Sequence, residues 1–141
     1  MADIVNNVSL WVAPPGHTLK DMLVAYLLYP GFTALDVVGT FQVLAAAPGV
    51  ESVFGGAKDG TIIDDTGLCP LTATLSIADV DSADVVVVPG NDCAGDPDPA
   101  LVEWLRHLHR TTTWTLSVGT GSTYLAAAGV LDGATATRAG S

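Results

Sequence analysis

Residues 85–88 are four valines in a row, followed at once by Pro89 and Gly90. A β-branched run with no polar alternation has no face to give to water, so it belongs inside a parallel sheet covered on both sides. The Pro-Gly pair turns the chain at its end. The rest of the chain builds around that strand. Residues 23–29 form a second apolar run that ends at Pro30-Gly31, and residues 34–47 have a helical pattern stopped by Pro48-Gly49. A weaker strand over 50–54 leads into Gly55-Gly56. Residues 61–74 place Asp64, Asp65, Gly67 and Pro70 between apolar residues, which predicts a hairpin or an irregular excursion. Asp98 can cap a helix that starts at Pro99, with Leu101, Leu105 and Leu108 on one face and His107, His109 and Arg110 mainly on the solvent side. A strand over 113–118, a tight turn at Gly119-Thr120-Gly121 and a helix over 122–128 follow, then a turn and a short strand near 134–137.

Strands alternating with helices predict an α/β fold, a parallel sheet with helices on both faces. Its ligands would lie in the crevice beyond the strand carboxyl ends, after Tyr29, Val88 and Val118. Residues 1–21, with Pro14, Pro15 and Gly16, read as an N-terminal extension, and residues 22–141 as the domain. Length (141 residues) and 49% hydrophobic content suit one packed domain. No internal repeat is visible.

A net charge of −10, from 15 acidic against 5 basic residues, repels phosphate backbones and anionic lipid; neither nucleic acid nor a membrane surface is an expected partner. Cys69 and Cys93 have no histidine at zinc-site spacing, so no metal is expected. The first residues lack the basic and apolar stretches of a secretory signal, and no apolar run approaches the ~20 residues of a membrane helix. A cytoplasmic protein is expected.

Three segments fall at the strand ends. In the first, Asp36 has two readings. Thr33 and Asp36 have capping-box spacing, and an acid suits a helix N-terminus; the same carboxylate could instead face the crevice. In the second, Gly90 and Asn91 could present N–H groups to developing negative charge. The third, Ser117-Val-Gly-Thr-Gly-Ser122, combines a strand, a sharp turn and a helix of small residues, the elbow that raises a nucleophile above a sheet. A dinucleotide reading of Gly119-Thr120-Gly121 fails because Tyr124 stands where a third glycine is needed, and no Gly-Lys-Ser/Thr supports a phosphate loop.

Leu35-Asp-Val-Val-Gly39, the Val-Pro-Gly turn at 88–90, Ser117-Val-x-Thr-Gly-Ser122 and Ala126-Ala-Ala-Gly-Val-Leu-Asp-Gly133 occur in the order seen in the ThiJ/PfpI superfamily. The resemblance runs from about Met22 to Thr137, and Thr66-Gly67-Leu68 resembles the segment before that family's third main strand. It implies a flavodoxin-like three-layer domain. Among the branches, the chain most resembles the isonitrile hydratases, which add water to an isonitrile to give an N-substituted formamide. In that branch the residue before Thr-Gly-Ser is the cysteine nucleophile. The matching position here is Gly119, so the thiol is absent, while Asp36 as proton carrier and Thr120 as polar support are kept.

The resemblance further implies that Gly90, Asn91 and Gly121 contact substrate, that no cofactor is needed, and that this chain is inactive or impaired. The family usually continues past 134–137 with a Thr-His segment, where this chain has Ala139 at the histidine position; the chain looks truncated, and a homodimer or completion by another segment is expected. A non-catalytic small-molecule sensor, as in AraC-type regulators, is the alternative, though no helix-turn-helix or basic face is present.

Other residues have plainer expected roles. Cys93, in the loop after the valine strand, is a candidate displaced nucleophile, and Cys69 a weaker one. His107 and His109 are two apart, point differently and are expected to be solvated. Trp104 and Trp114 suit packing, and Asp96 and Asp98 suit loop and cap chemistry.

Overall fold

The computed structural model describes residues 3–5, 22–92 and 95–133, the first three as backbone only. Eight strands and three helices alternate along it: β1 (Asp3–Val5), β2 (Met22–Leu27), α1 (Ala34–Ala45), β3 (Val50–Gly56), β4 (Gly60–Ile63), β5 (Pro70–Ala73), β6 (Leu75–Ser76), β7 (Val85–Val88), α2 (Pro99–His109), β8 (Trp114–Ser117) and α3 (Ser122–Ala127). Six strands form one sheet in the order β1-β8-β7-β2-β3-β6, with every pairing parallel. The expected hairpin is present as the antiparallel pair β4-β5. The stretch read from sequence as an outlying extension contributes an edge strand, since Asp3–Val5 pairs with Trp114 to Leu116. The expected strand at 134–137, Ala139 and Cys93 lie outside the described residues.

The four valines are each at most 5% exposed, as a strand buried on both faces requires. From β2 the chain crosses through α1 to β3 on one side; from β7 it crosses through α2 to β8 on the other. Right-handed crossovers running in opposite directions along a sheet put their helices on opposite faces. On the α1 face, Tyr26, Phe41 and Phe54 pack ring against ring at centroid distances of 5.2–5.9 Å. On the other, Leu101, Leu105 and Leu108 of α2 are each no more than 1% exposed, burial that stabilises by about 1.5–3 kcal/mol per side chain. Asp98 caps α2 as expected, its carboxylate accepting from the Ala100 N–H at 2.8 Å, and Pro99 opens the helix.

The direction of winding reverses between β2 and β7, and their carboxyl ends therefore diverge into a crevice. Trp104 is packed with its indole donating to the Val80 carbonyl at 3.3 Å, and Trp114 lines an apolar groove at the opposite end of the strands with Met22, Val50 and Val85. His107 is exposed. His109 departs from expectation: it is half-buried, with Nδ1 3.0 Å from the Thr115 hydroxyl, and burial lowers its pKa. Its position at the end of α2 turns it back over β8 instead of outward.

Candidate functional site

Asp36 lies in the first turn of α1, and the capping box is not formed. The Thr33 N–H donates to the Gly90 carbonyl at 2.8 Å, and the Thr33 hydroxyl donates to Asp65 Oδ2 at 2.7 Å. The Asp36 carboxylate turns instead to the crevice, where Oδ2 accepts from the Gly90 N–H at 3.0 Å. One residue beyond β7, Gly90, thus holds the start of α1 twice, through its N–H and through its carbonyl. Of the two readings of Asp36 open in the sequence, the geometry selects the second.

Gly119 stands opposite. It begins a short 3₁₀ turn after β8 with φ of +56°, a left-handed conformation that any side chain would strain, and a Cβ built on it would lie 3.4 Å from Asp36 Oδ2. A side chain at 119 would therefore start in van der Waals contact with the carboxylate. The rest of the elbow is tightly packed. A Cβ on Gly121 would fall 2.3 Å from the Val88 carbonyl oxygen, and one on Gly90 would fall 2.8 Å from the Thr120 nitrogen. Gly121, expected to touch substrate, is buried and serves the close approach of the elbow to the end of β7.

Thr120 ties the second and third segments together: its hydroxyl accepts from the Asn91 N–H at 2.9 Å and donates to the Asn91 carbonyl at 2.8 Å. This alters the expected role of the Val-Pro-Gly-Asn turn. The Gly90 N–H is taken by Asp36 and the Asn91 N–H by Thr120, so either could stabilise an oxyanion only by giving up a partner. The Tyr29 hydroxyl braces the same turn, donating to the Pro89 carbonyl at 2.6 Å, and its ring packs on Tyr124 at 4.7 Å.

Burial raises the pKa of Asp36; the Gly90 hydrogen bond offsets part of that, and the negative charge of Asp65 adds to the rise. A carboxyl of this kind holds and releases a proton closer to neutrality than a solvated one. Sequence reasoning read Thr33 only as a capping partner and Asp65 only as a hairpin residue. An Asp-Asp pair in a hairpin looks like turn chemistry, and that is the role its first member has: Asp64 accepts from the Thr66 hydroxyl at 2.8 Å and from the N–H groups of Cys69 at 3.0 Å and Leu68 at 3.3 Å. Thr66-Gly67-Leu68 is the tip of that loop.

A cavity of about 730 Å³ opens between the hairpin and the start of α2, lined among others by Tyr29, Ile62, Asn91, Asp96 and Tyr124, a size that suits a small organic molecule. Asn91 lines this cavity and also contacts Thr120, whereas Asp36, Gly90, Gly119 and Thr120 lie outside its lining. Among the described residues no group of three or more His, Cys, Asp or Glu is arranged to hold a metal, and no helix is long and apolar enough to cross a membrane.

Comparison with known proteins bears on this geometry. Over 116 residues the chain is 33% identical to an isonitrile hydratase of Pseudomonas putida, covering 81% of this chain and 50% of that protein. Over 118 residues it is 30% identical to the HTH-type transcriptional regulator CdhR of Pseudomonas aeruginosa, covering 79% of this chain and 35% of that protein. The chain thus spans half or less of the length of these two relatives. Among solved structures, a ThiJ/PfpI family protein from Pseudomonas syringae superposes with a TM-score of 0.73 at 25% identity, over 79% of this chain and 47% of that one. An AraC family transcriptional regulator from Pseudomonas putida gives 0.59 at 26% identity, over 80% and 64%. The DJ-1/PfpI family profile matches residues 22–140, and with the parallel sheet, the elbow at Gly119 and the facing Asp36 in place, the chain belongs to the DJ-1/PfpI family.

Proposed function

We propose that this chain is an isonitrile hydratase-like scaffold whose nucleophile position is Gly119, with little or no hydratase activity as it stands. The observation that carries the reading is the closeness of Gly119 to Asp36: a Cβ at 119 would lie 3.4 Å from Oδ2 of a carboxyl whose pKa burial raises. With a thiol there, sulfur would add to the terminal carbon of R–NC while a proton passes to that carbon, giving R–N=CH–S. Water would then add to this carbon, and breaking the C–S bond would release R–NH–CHO and return the thiol. Asp36 is suited to move the protons, and Thr120 to fix the turn around the reacting carbon. Without the thiol, water activated by Asp36 alone is a far weaker nucleophile for that carbon. Formamide production from a simple isonitrile tests this: none above background from the unsubstituted chain and measurable turnover after Gly119→Cys is expected. Robust turnover by the unsubstituted chain would overturn the disabling role of Gly119.

The second reading is a ligand-sensing module, favoured by the two regulator relatives and by a pocket that needs no nucleophile. Calorimetry with small nitrogenous metabolites separates the two: tight binding without chemistry, even in the Gly119→Cys chain, favours the sensor. Self-association, or completion by another segment, belongs to either reading. Leu35 (76% exposed), Val38 and Val43 leave apolar side chains on the outer side of α1, the helix that carries Asp36. Sedimentation of Leu35→Asp against the unsubstituted chain tests a dimer; equal monomeric values for both would exclude this face.

A further inference from the structure

Asp36 is held by more than its own helix. The end of β4 and the hairpin loop 64–69 reach the segment before α1 through three hydrogen bonds: the Gly31 N–H donates to the Ile63 carbonyl at 3.0 Å, the Asp65 N–H to the Phe32 carbonyl at 2.8 Å, and the Thr33 hydroxyl to Asp65 Oδ2 at 2.7 Å. The loop is itself locked by Asp64, whose carboxylate gathers Thr66, Leu68 and Cys69. Asp65 is therefore fixed on both sides, by a rigid turn behind it and by Thr33 in front. Thr33 is the residue whose carbonyl accepts the Asp36 N–H, at 3.1 Å.

From this arrangement we propose that Asp65 is a positioning residue for Asp36, fixing the entry of α1 through the Thr33 hydroxyl and holding a second carboxylate beside the one that faces Gly119. The inference deepens the hydratase-like reading, on which its catalytic meaning rests. The groups acting on the Asp36 carboxyl are few. The loop after β7 supplies the Gly90 N–H, which favours the ionised form; the hairpin supplies Asp65, which opposes it; the elbow presents Gly119 and the uncharged Thr120; and α1 has no other ionisable residue. Burial is the largest influence on the Asp36 carboxyl, and Asp65, fixed by Thr33, adds to it in the same direction by opposing a second negative charge.

The test is a titration of the Asp36 carboxyl carbon by NMR in the unsubstituted chain and in Asp65→Asn, which keeps an oxygen for Thr33 but removes the charge. The Asp36 midpoint is expected to fall in the variant. Added salt is expected to lower it more in the unsubstituted chain than in Asp65→Asn, because there it screens the Asp65 charge in addition to the general negative charge of the chain. If Asp65→Asn does not fold, Asp65→Ser, which also removes the charge and keeps an oxygen, takes its place. A midpoint that stays in place when the Asp65 charge is removed overturns the proposal, since a purely structural Asp65 would leave it there. In the Gly119→Cys background, the pH at which hydration responds to Asp36 should move down with Asp65→Asn. A shifted Asp36 midpoint in a Gly119→Cys chain that makes no formamide would leave Asp65 as the positioning residue and remove the hydratase reading.

Discussion

Asp64 in the hairpin loop and Asp36 at the start of α1 sit in neighbouring parts of the molecule, and their surroundings move them in opposite directions. Asp64 is buried, which by itself would raise its pKa, but a hydroxyl and the backbone N–H groups of the loop tip converge on it and bring the pKa below the ordinary value. Asp36 is half-buried and has one N–H, from Gly90, against burial and the charge of Asp65; its pKa rises. The number of donors turned toward a carboxylate decides which effect wins. Where the donors are many, the pKa falls despite burial; where there is one, burial and a like charge raise it.

Substitutions can break this contrast, and they rank by the stability they remove. Asp64→Ala should be the most damaging, because the Leu68 and Cys69 N–H groups lose their acceptor and the loop tip opens. Its folded pKa is depressed, so its contribution is present above the unfolded value of ~3.9 and lost as pH falls through the folded value. The gap in melting temperature between the native chain and Asp64→Ala should therefore close on acidification; a gap independent of pH would show that charge is not what the loop uses.

Gly119→Cys comes next, at about 1–2 kcal/mol for a side chain forced into the left-handed region. Urea denaturation measures it, and no loss at all would show that the elbow is not strained. Thr33→Val removes one charge-assisted hydrogen bond at a partly exposed site and should cost about 1 kcal/mol. That variant should also loosen hydrogen-exchange protection at Asp65 and Gly31 more than at the start of α2.

Asp36→Asn should be the mildest, under about 1 kcal/mol, because asparagine keeps an oxygen for the Gly90 N–H. Here the sign reverses. A raised folded pKa contributes stability that is present below ~3.9 and lost as pH rises through the folded value, so Asp36→Asn should gain on the native chain as pH increases. If Asp36→Asn instead loses ground toward neutrality, Asp36 belongs with Asp64 as a structural carboxylate, and the contrast between them disappears.

Much of the fold was legible because its signals are local. The valine run, the Asp98-Pro99 start of α2 and the turn residues of the 61–74 hairpin each state their structure within a few positions. The pairing of Asp36 with Gly119 was reached through motif order, and the geometry agrees with it. What could not be read were contacts across the chain that use groups with an equally good local explanation. Thr33 and Asp36 looked like a box and are partners of Asp65 and Gly90 instead. The Gly90 and Asn91 N–H groups looked free and are occupied by Asp36 and by a hydroxyl 29 positions away. His109 fell on the polar side of a helical wheel, yet α2 ends where that side meets β8.

The central pairing of β2 with β7 has a consequence for how the crevice comes into being. The two strands are joined through about 60 intervening positions, and Asp36 and Gly90 meet across 54. The β2-α1-β3 unit and the hairpin can close over short loops, whereas joining them to the valine strand requires the entropy of a long loop to be overcome first. A chain folding from one end would hold its acid well before it had a partner for it, and the expectation is that the site forms late, when the two parts of the sheet dock. Hydrogen exchange pulsed during refolding would show the amide of Gly90 protected later than those of β3; simultaneous protection would mean that the two halves of the sheet condense together.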